Sequence, residues 1–294
     1  MRTSDGSDVT AALSWASEVV GPIAAVGEVT GGRTSTLLSL TAVDGARAIL
    51  RLMTREPWRT HGVGLTTREH EIQGMLTGTA VPAPRSLALD ADGRHCGHPA
   101  HLMSLLPGQT QAGRLDADSL GRLAELLATV HDVVPTIDVR RYQSWAWEAK
   151  YVVPPWATDT ATWERAFALL RTDPPAHADC FLHRDFQPFN VLWSGGRISG
   201  VVDWVETSIG PAWLDVAHCR TNLALLGGNG PAEAFAAAYV DRTGRKPQPY
   251  FDVMDIVGFL PAPGRATFVT DAVEQARLET WLGSVLRRLD REPG

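Results

Sequence analysis

Phe181-Leu182-His183-Arg184-Asp185-Phe186-Gln187-Pro188-Phe189-Asn190-Val191-Leu192-Trp193 runs through Ser194-Gly195-Gly196-Arg197 into Ile198-Ser199-Gly200-Val201-Val202-Asp203-Trp204. Two short apolar, β-compatible runs, 191–193 and 198–202, flank a Gly-Gly turn, which is the pattern of a β-hairpin. Such a hairpin sets Asn190 before its first strand and Asp203 after its second, on the same side. Asp185 lies in the loop just ahead. Three oxygen-bearing side chains therefore converge from local structure alone.

Phosphoryl transfer asks for a set of this kind. Its transition state takes little covalent help from protein, so positioning and charge neutralisation do most of the work. Mg²⁺ is a hard cation and takes carboxylate, amide and phosphate oxygens. Asp203 and Asn190 suit that role, and Asp185 suits orienting an acceptor hydroxyl and taking its proton.

Upstream of this stretch the chain reads as a β-rich part. A first helix over 8–20 has Ser7 or Asp8 as cap, and Gly21-Pro22 stops it. Strands follow at 36–41 and 46–52 around an Asp44-Gly45 turn, then a helix over 66–77 and strands at 85–90 and 99–105. Pro107-Gly108 then breaks the pattern. Helices dominate the rest, at 116–132, 160–171, 212–226, 231–242, 249–257 and 266–290. The expected division is 1–105 and 106–294, with the boundary inside 104–114.

The 294 residues suffice for one large domain or two lobes, and 44% hydrophobic with 20% charged residues is ordinary for a globular protein. A net charge of −6 is a poor basis for binding nucleic acid and is compatible with a cationic small molecule. Three cysteines in no pattern argue against a disulfide framework. The polar start and the lack of a long apolar run point away from a leader or a membrane span, so a cytoplasmic protein is expected.

The run H-R-D-F-Q-P-F-N, a hairpin, then V-V-D-W resembles the catalytic region of the aminoglycoside phosphotransferase and choline-kinase-like family, whose members share the protein-kinase fold. His183 precedes Asp185 by two residues, Asn190 follows by five and Asp203 by thirteen more. Gly210-Pro211-Ala212-Trp213-Leu214-Asp215-Val216-Ala217 resembles the stretch ending in Asp-Leu-Ala that is typical of the small-molecule kinases. The resemblance implies an α+β, bilobal protein-kinase-like fold, with a small antiparallel-sheet N-lobe and a larger helical C-lobe. It implies ATP or GTP as donor, with Mg²⁺ on Asn190 and Asp203. Asp185 would act on the acceptor, while His183 and Asp215 would brace the loop.

More weakly, Gly31-Gly32-Arg33-Thr34-Ser35 falls where the family covers the phosphates with backbone N–H groups. Arg51 stands where a phosphate-binding Lys is usual, and arginine can grip phosphate bidentately. Glu69 matches its helix partner, and Ser104 and Leu105 fall in the hinge that holds the base. Nucleotide is expected between the lobes.

The resemblance implies a phosphotransferase with an alcohol group as acceptor, and antibiotic phosphorylation is the first expectation. A metabolic kinase of an amino alcohol, sugar or similar compound is the alternative, and a ligand-binding pseudokinase a third. A protein kinase is disfavoured, because no Ala-Pro-Glu segment follows Asp203. On the acceptor side, Glu206, Trp145 and Trp147 are candidates, with Trp156 and Trp163 in the same insert. Asp252 and Asp255 read as exposed helical charges in preference to pocket acids. His95-Cys96-Gly97-His98 with His101 has irregular spacing for a metal site, and His131 reads as a packed helix-end residue.

Overall fold

Alternating burial builds the first sheet. After helix α1 (Thr10–Val20), whose first turn is held by Asp8 accepting from the Thr10 N–H at 3.0 Å, come β1 (Ile23–Val29), β2 (Thr36–Ala42) and β3 (Arg47–Leu52). β2 buries every second residue, so Leu38 and Leu40 enter the core while their neighbours face outward. Gly45 makes the β2–β3 turn at φ 90°, a left-handed conformation open to glycine, and Asp44 accepts from the Ala46 N–H. The computed structural model describes residues 2–4, 6, 8–29, 34–111, 113 and 115–291.

Helix α2 (Gly62–Leu76) starts four residues earlier than the sequence pattern indicates. Gly62 and Gly64 mask the start, and Gly62 is needed because a Cβ there would stand 2.8 Å from the Pro99 ring. β4 (Ser86–Asp90) and β5 (Ala100–Ser104) complete a five-stranded antiparallel sheet of order β1-β2-β3-β5-β4. One apolar cluster, including Val9, Ala12, Ala16, Leu38, Leu50 and Leu102, joins α1 to this sheet.

The chain divides into two compact units, Met1–Gln109 with Leu192–Glu206, and Thr110–Val191 with Thr207–Gly294. The first ends near the two-residue strand β6 (Gln109–Thr110). A linear division at 105 and 106 puts the hairpin in the second part, whereas it packs with the first unit. The reason is close backbone contact: the Val201 N–H donates to the Pro82 carbonyl at 2.9 Å and the Ser199 hydroxyl to the Pro107 carbonyl at 2.5 Å. A Cβ on Gly108 would lie 2.5 Å from the Trp193 carbonyl oxygen, so glycine is required there.

The second unit is mainly helical: α3 (Ala117–His131), α4 (Thr160–Leu170), β7 (Asp179–Leu182), β10 (Ser208–Pro211), α5 (Trp213–Gly227), α6 (Asn229–Thr243), α7 (Pro249–Gly258) and α8 (Ala272–Leu289); the hairpin strands β8 (Val191–Ser194) and β9 (Arg197–Val201) fall between β7 and β10 in the chain but pack with the first unit. Within it β7 pairs antiparallel with β10, α5 packs on α6, α7 and α8, and α3 packs on α6. The last helix starts six residues later than the pattern suggests, because Asp271 caps it through the Val273 and Glu274 N–H groups. No helix among the described residues is long and apolar enough to cross a membrane.

Candidate active site

In the first unit, sheet register lines up the polar centre. Arg51 on β3 pairs opposite His101 on β5, and α2 lays Glu69 over both. Arg51 meets Glu69 twice, Nε to Oε2 at 3.0 Å and Nη2 to Oε1 at 3.2 Å. It also reaches Asp203 Oδ1 at 3.2 Å and the Ser35 hydroxyl at 3.3 Å. The expected Arg51–Glu69 pair is present and buried, and its arginine is tied to Asp203 as well.

Burial opposes the Arg51 charge, but Asp203 and Glu69 outweigh it and raise its pKa further. Burial likewise opposes the Glu69 charge, and Arg51, then His101, outweigh it and lower its pKa. Behind this pair runs a chain: Glu69 Oε2 to His101 Nδ1 at 3.0 Å, His101 Nε2 to Ser86 Oγ at 2.8 Å, and Ser86 Oγ to His70 Nδ1 at 2.6 Å. Sequence reasoning missed this role of His101 and read it as a candidate member of the His/Cys run. Cys96 of that run is buried with its thiol pushed up by burial, then by Asp90. No group of three or more His, Cys, Asp or Glu forms a metal-binding cluster among the described residues.

Asp203 has φ 72°, unusual for a non-glycine residue. Trp204, buried beside it, donates its indole N–H to the Val201 carbonyl at 3.0 Å and anchors the turn. Gly31 and Gly32 lie outside the described residues. In the hinge, the Ser104 N–H donates to the Arg85 carbonyl and the Leu105 N–H to the Arg47 carbonyl, so both backbone donors serve the fold. Glu206 is half-buried in this unit.

In the second unit, Asp215 at the start of α5 accepts from the His183 N–H at 2.8 Å, the Arg184 N–H at 2.7 Å and His131 Nε2 at 3.2 Å. It fixes a loop in which Arg184 takes φ 72°. Burial opposes the Asp215 charge; His131, then His183 and Arg184, outweigh it and lower its pKa. His131 also meets the Tyr239 hydroxyl at 2.6 Å, so it is a buried brace. The His183 ring accepts from the Asp185 N–H at 3.2 Å.

This loop presents Asp185 among three side-chain donors. Oδ1 accepts from Gln187 Nε2 at 2.7 Å and His218 Nε2 at 2.8 Å, and Oδ2 accepts from Asn190 Nδ2 at 2.9 Å. Asn190 Nδ2 also donates to the Asp185 carbonyl at 2.8 Å. Both of its partners are acceptors, which fixes the amide orientation and leaves Oδ1 as the atom Asn190 can offer a cation. That amide oxygen is a hard donor of the kind Mg²⁺ takes, and in the first unit the Asp203 carboxylate is another.

His218 was not named by the sequence reading, whose family stretch stops one residue short of it, at Ala217. Its other nitrogen, Nδ1, meets Asp255 Oδ1 at 2.9 Å. Asp255 and Asp252 are buried, not exposed: α7 is covered on all sides, and Asp252 is held by Arg220 at 2.6 Å and the Trp213 indole at 2.9 Å. Of the tryptophans, Trp163 is core and donates to Glu279, while Trp147 is exposed with the Lys150 ammonium over its ring. Trp145 stands edge-on to His218 with the Arg184 guanidinium 4.2 Å from its ring centre.

Residues 27–250 match the phosphotransferase enzyme family. No curated protein matches the chain in sequence. Among solved structures, aminoglycoside phosphotransferase APH(4)-Ia is 16% identical with a TM-score of 0.65, over 95% of this chain and 99% of that one. A thermostable mutant of the same enzyme in ternary complex with ADP and hygromycin B is 16% identical with a TM-score of 0.63, over 95% and 98%. Macrolide 2'-phosphotransferase MphH from Brachybacterium faecium is 18% identical with a TM-score of 0.56, over 97% and 93%. A family match across most of the sequence, on the kinase-like fold these structures share, makes this chain a member of the phosphotransferase enzyme family.

Proposed function

We propose that this phosphotransferase moves the γ-phosphate of ATP or GTP onto a hydroxyl of a small molecule, and that the acceptor is an antibiotic of the aminoglycoside type. The observation that carries the reading is Asp185: a buried-loop carboxylate held by three N–H donors with lone-pair capacity left on Oδ2. A group fixed in this way can orient a hydroxyl for in-line attack.

In this reading Asn190 and Asp203 hold Mg²⁺, which when bound neutralises charge on the nucleotide phosphates. Gly31, Gly32, Arg51, Glu69, Ser104 and Leu105 serve the nucleotide. His183 and Asp215 hold the catalytic loop in shape. Glu206, Trp145 and Trp147 serve the acceptor. A net charge of −6 and solved aminoglycoside and macrolide phosphotransferases of the same fold support the choice of acceptor.

The test is a panel. Purified protein with Mg²⁺ and either ATP or GTP is offered aminoglycosides, macrolides, amino alcohols and sugars. The expected result is acceptor-dependent nucleotide consumption with an aminoglycoside, and a mass gain of one phosphoryl group on it. Turnover confined to amino alcohols or sugars would remove the antibiotic reading.

A further inference from the structure

Asp185 is one end of a three-residue array. His218 lies one turn along α5 from Asp215, and its ring bridges two carboxylates: Nε2 to Asp185 at 2.8 Å and Nδ1 to Asp255 at 2.9 Å. An ionised carboxylate only accepts hydrogen bonds, so each nitrogen must carry a proton and the ring is an imidazolium. The Phe259 ring stacks at 5.8 Å and Trp145 stands edge-on at 5.2 Å, shielding the ring. The Asn222 amide nitrogen, 3.2 Å from Nε2, donates to the His218 backbone carbonyl at 2.9 Å, and a protonated Nε2 cannot accept from it, which leaves Nε2 to Asp185.

Counting lone pairs sharpens this. A carboxylate has about four acceptor positions, two on each oxygen. Oδ1 of Asp185 uses both, on Gln187 and His218, and Oδ2 uses one, on Asn190. One position on Oδ2 is open, which is where a hydroxyl would donate.

We propose that His218 is a positioning residue for phosphoryl transfer: an imidazolium clamped between Asp255 and Asp185 that holds the Asp185 carboxylate in one orientation with only Oδ2 open to the acceptor hydroxyl. This rests on the reading of Asp185 given above. The hydroxyl oxygen attacks the γ-phosphorus and forms the new P–O bond. The bond to the β–γ bridging oxygen breaks, and its electron pair leaves with the nucleoside diphosphate. The hydroxyl proton passes to Asp185 Oδ2 late, as the new bond acidifies that oxygen, and from there to solvent. The His218 protons stay in place throughout.

The charged groups around the ring agree. Asp185 faces it from the catalytic loop and Asp255 from α7. Lys150, whose ammonium donates to the Gly258 carbonyl at 2.5 Å, lies near Asp255, and Arg184 covers Trp145. Burial opposes the His218 charge, but Asp255 and then Asp185 outweigh it, and its pKa is raised to about 10. On Asp185 burial is likewise outweighed, first by His218, and the pKa is lowered.

Two measurements test the proposal. The first needs no substrate: nitrogen NMR of the full chain with labelled histidine, at pH 8. Among its nine histidines, one signal set with both ring nitrogens protonated is expected, absent from His218→Gln. Finding no doubly protonated histidine in the wild-type protein would overturn the proposal, even if the variant fails to fold.

The second is the hydrolysis of Mg²⁺-ATP and Mg²⁺-GTP against pH, with Asp185→Asn in parallel. His218→Gln should lower kcat by about 10- to 100-fold with nucleotide KM within about twofold, and remove the alkaline limb of the rate profile. Asp255→Asn should instead bring the alkaline limb, near pH 10 in the wild type, to lower pH. If Asp185→Asn loses turnover while His218→Gln keeps it with an unmoved profile, the positioning role falls and the wider reading stands. If Asp185→Asn keeps full turnover, the wider reading falls first.

Discussion

Arg51 and Glu69 show how much a single buried pair can be asked to do. Each would be costly alone, since an ion out of water loses solvation that only a partner restores. Glu69→Gln removes the charge and leaves Arg51 buried against one remaining carboxylate, Asp203. We expect a loss of about 3–5 kcal/mol in stability, read as a lower denaturant midpoint, and weaker nucleotide binding by calorimetry. The pair was expected only through the family resemblance, which sets Arg51 and Glu69 at the family's strand and helix positions. The relay behind it through His101, Ser86 and His70 was not. It depends on β3, β5 and β4 pairing in one register, which no local pattern specifies.

At the same scale, His218 sets a pH window. Its folded-state pKa, about 10, lies above the ordinary 6.5. The folded protein therefore binds more protons than the unfolded chain between those values, and stability falls as pH rises through them. The His218 contribution is full below about pH 6.5 and gone above about 10. Denaturation at pH 7 and pH 9.5 should show the wild type losing stability over that interval, and His218→Gln losing less. The acids act at the other end: the lowered pKa values of Asp185 and Asp215 give stability that is present above their ordinary 3.8 and lost as pH falls below it.

Among the elements, α5 does the most for the candidate site. Its first turn supplies Asp215, which accepts from the two backbone N–H groups of His183 and Arg184, and its second supplies His218. Asp215→Ala would leave those N–H groups and His131 without their acceptor, at a cost of about 2–5 kcal/mol. The expected outcome is a lower melting temperature and lost activity together at any pH, whereas the stability lost in His218→Gln should shrink as pH rises towards 10. The stretch 210–217 marked this helix start in the sequence. The helix faces were harder to read. α5 and α7 are buried almost all round, so the periodicity that separates a core face from a wet one is missing, and Asp252 and Asp255 passed for solvated charges.

For the whole molecule, the order of elements followed from local patterning, because strands with alternating burial and helices with apolar stripes are written in short windows. The division into units did not. Residues 192–206 pack with the first unit although the 82 residues 110–191 of the second separate them from it in the chain; tertiary contacts at Pro82, Leu106 and Pro107 decide it. The array beside Asp185 is the least legible feature for the same reason, since Trp145, His218 and Asp255 come together from three distant segments.

The most direct test of the account is phosphoryl transfer by Asp185→Asn beside the wild type, at saturating Mg²⁺-nucleotide and with the acceptor the panel identifies. The substitution keeps the side chain's size and removes its charge. We expect kcat to fall by about 10²–10⁴-fold with nucleotide binding retained. Full turnover by Asp185→Asn would contradict it.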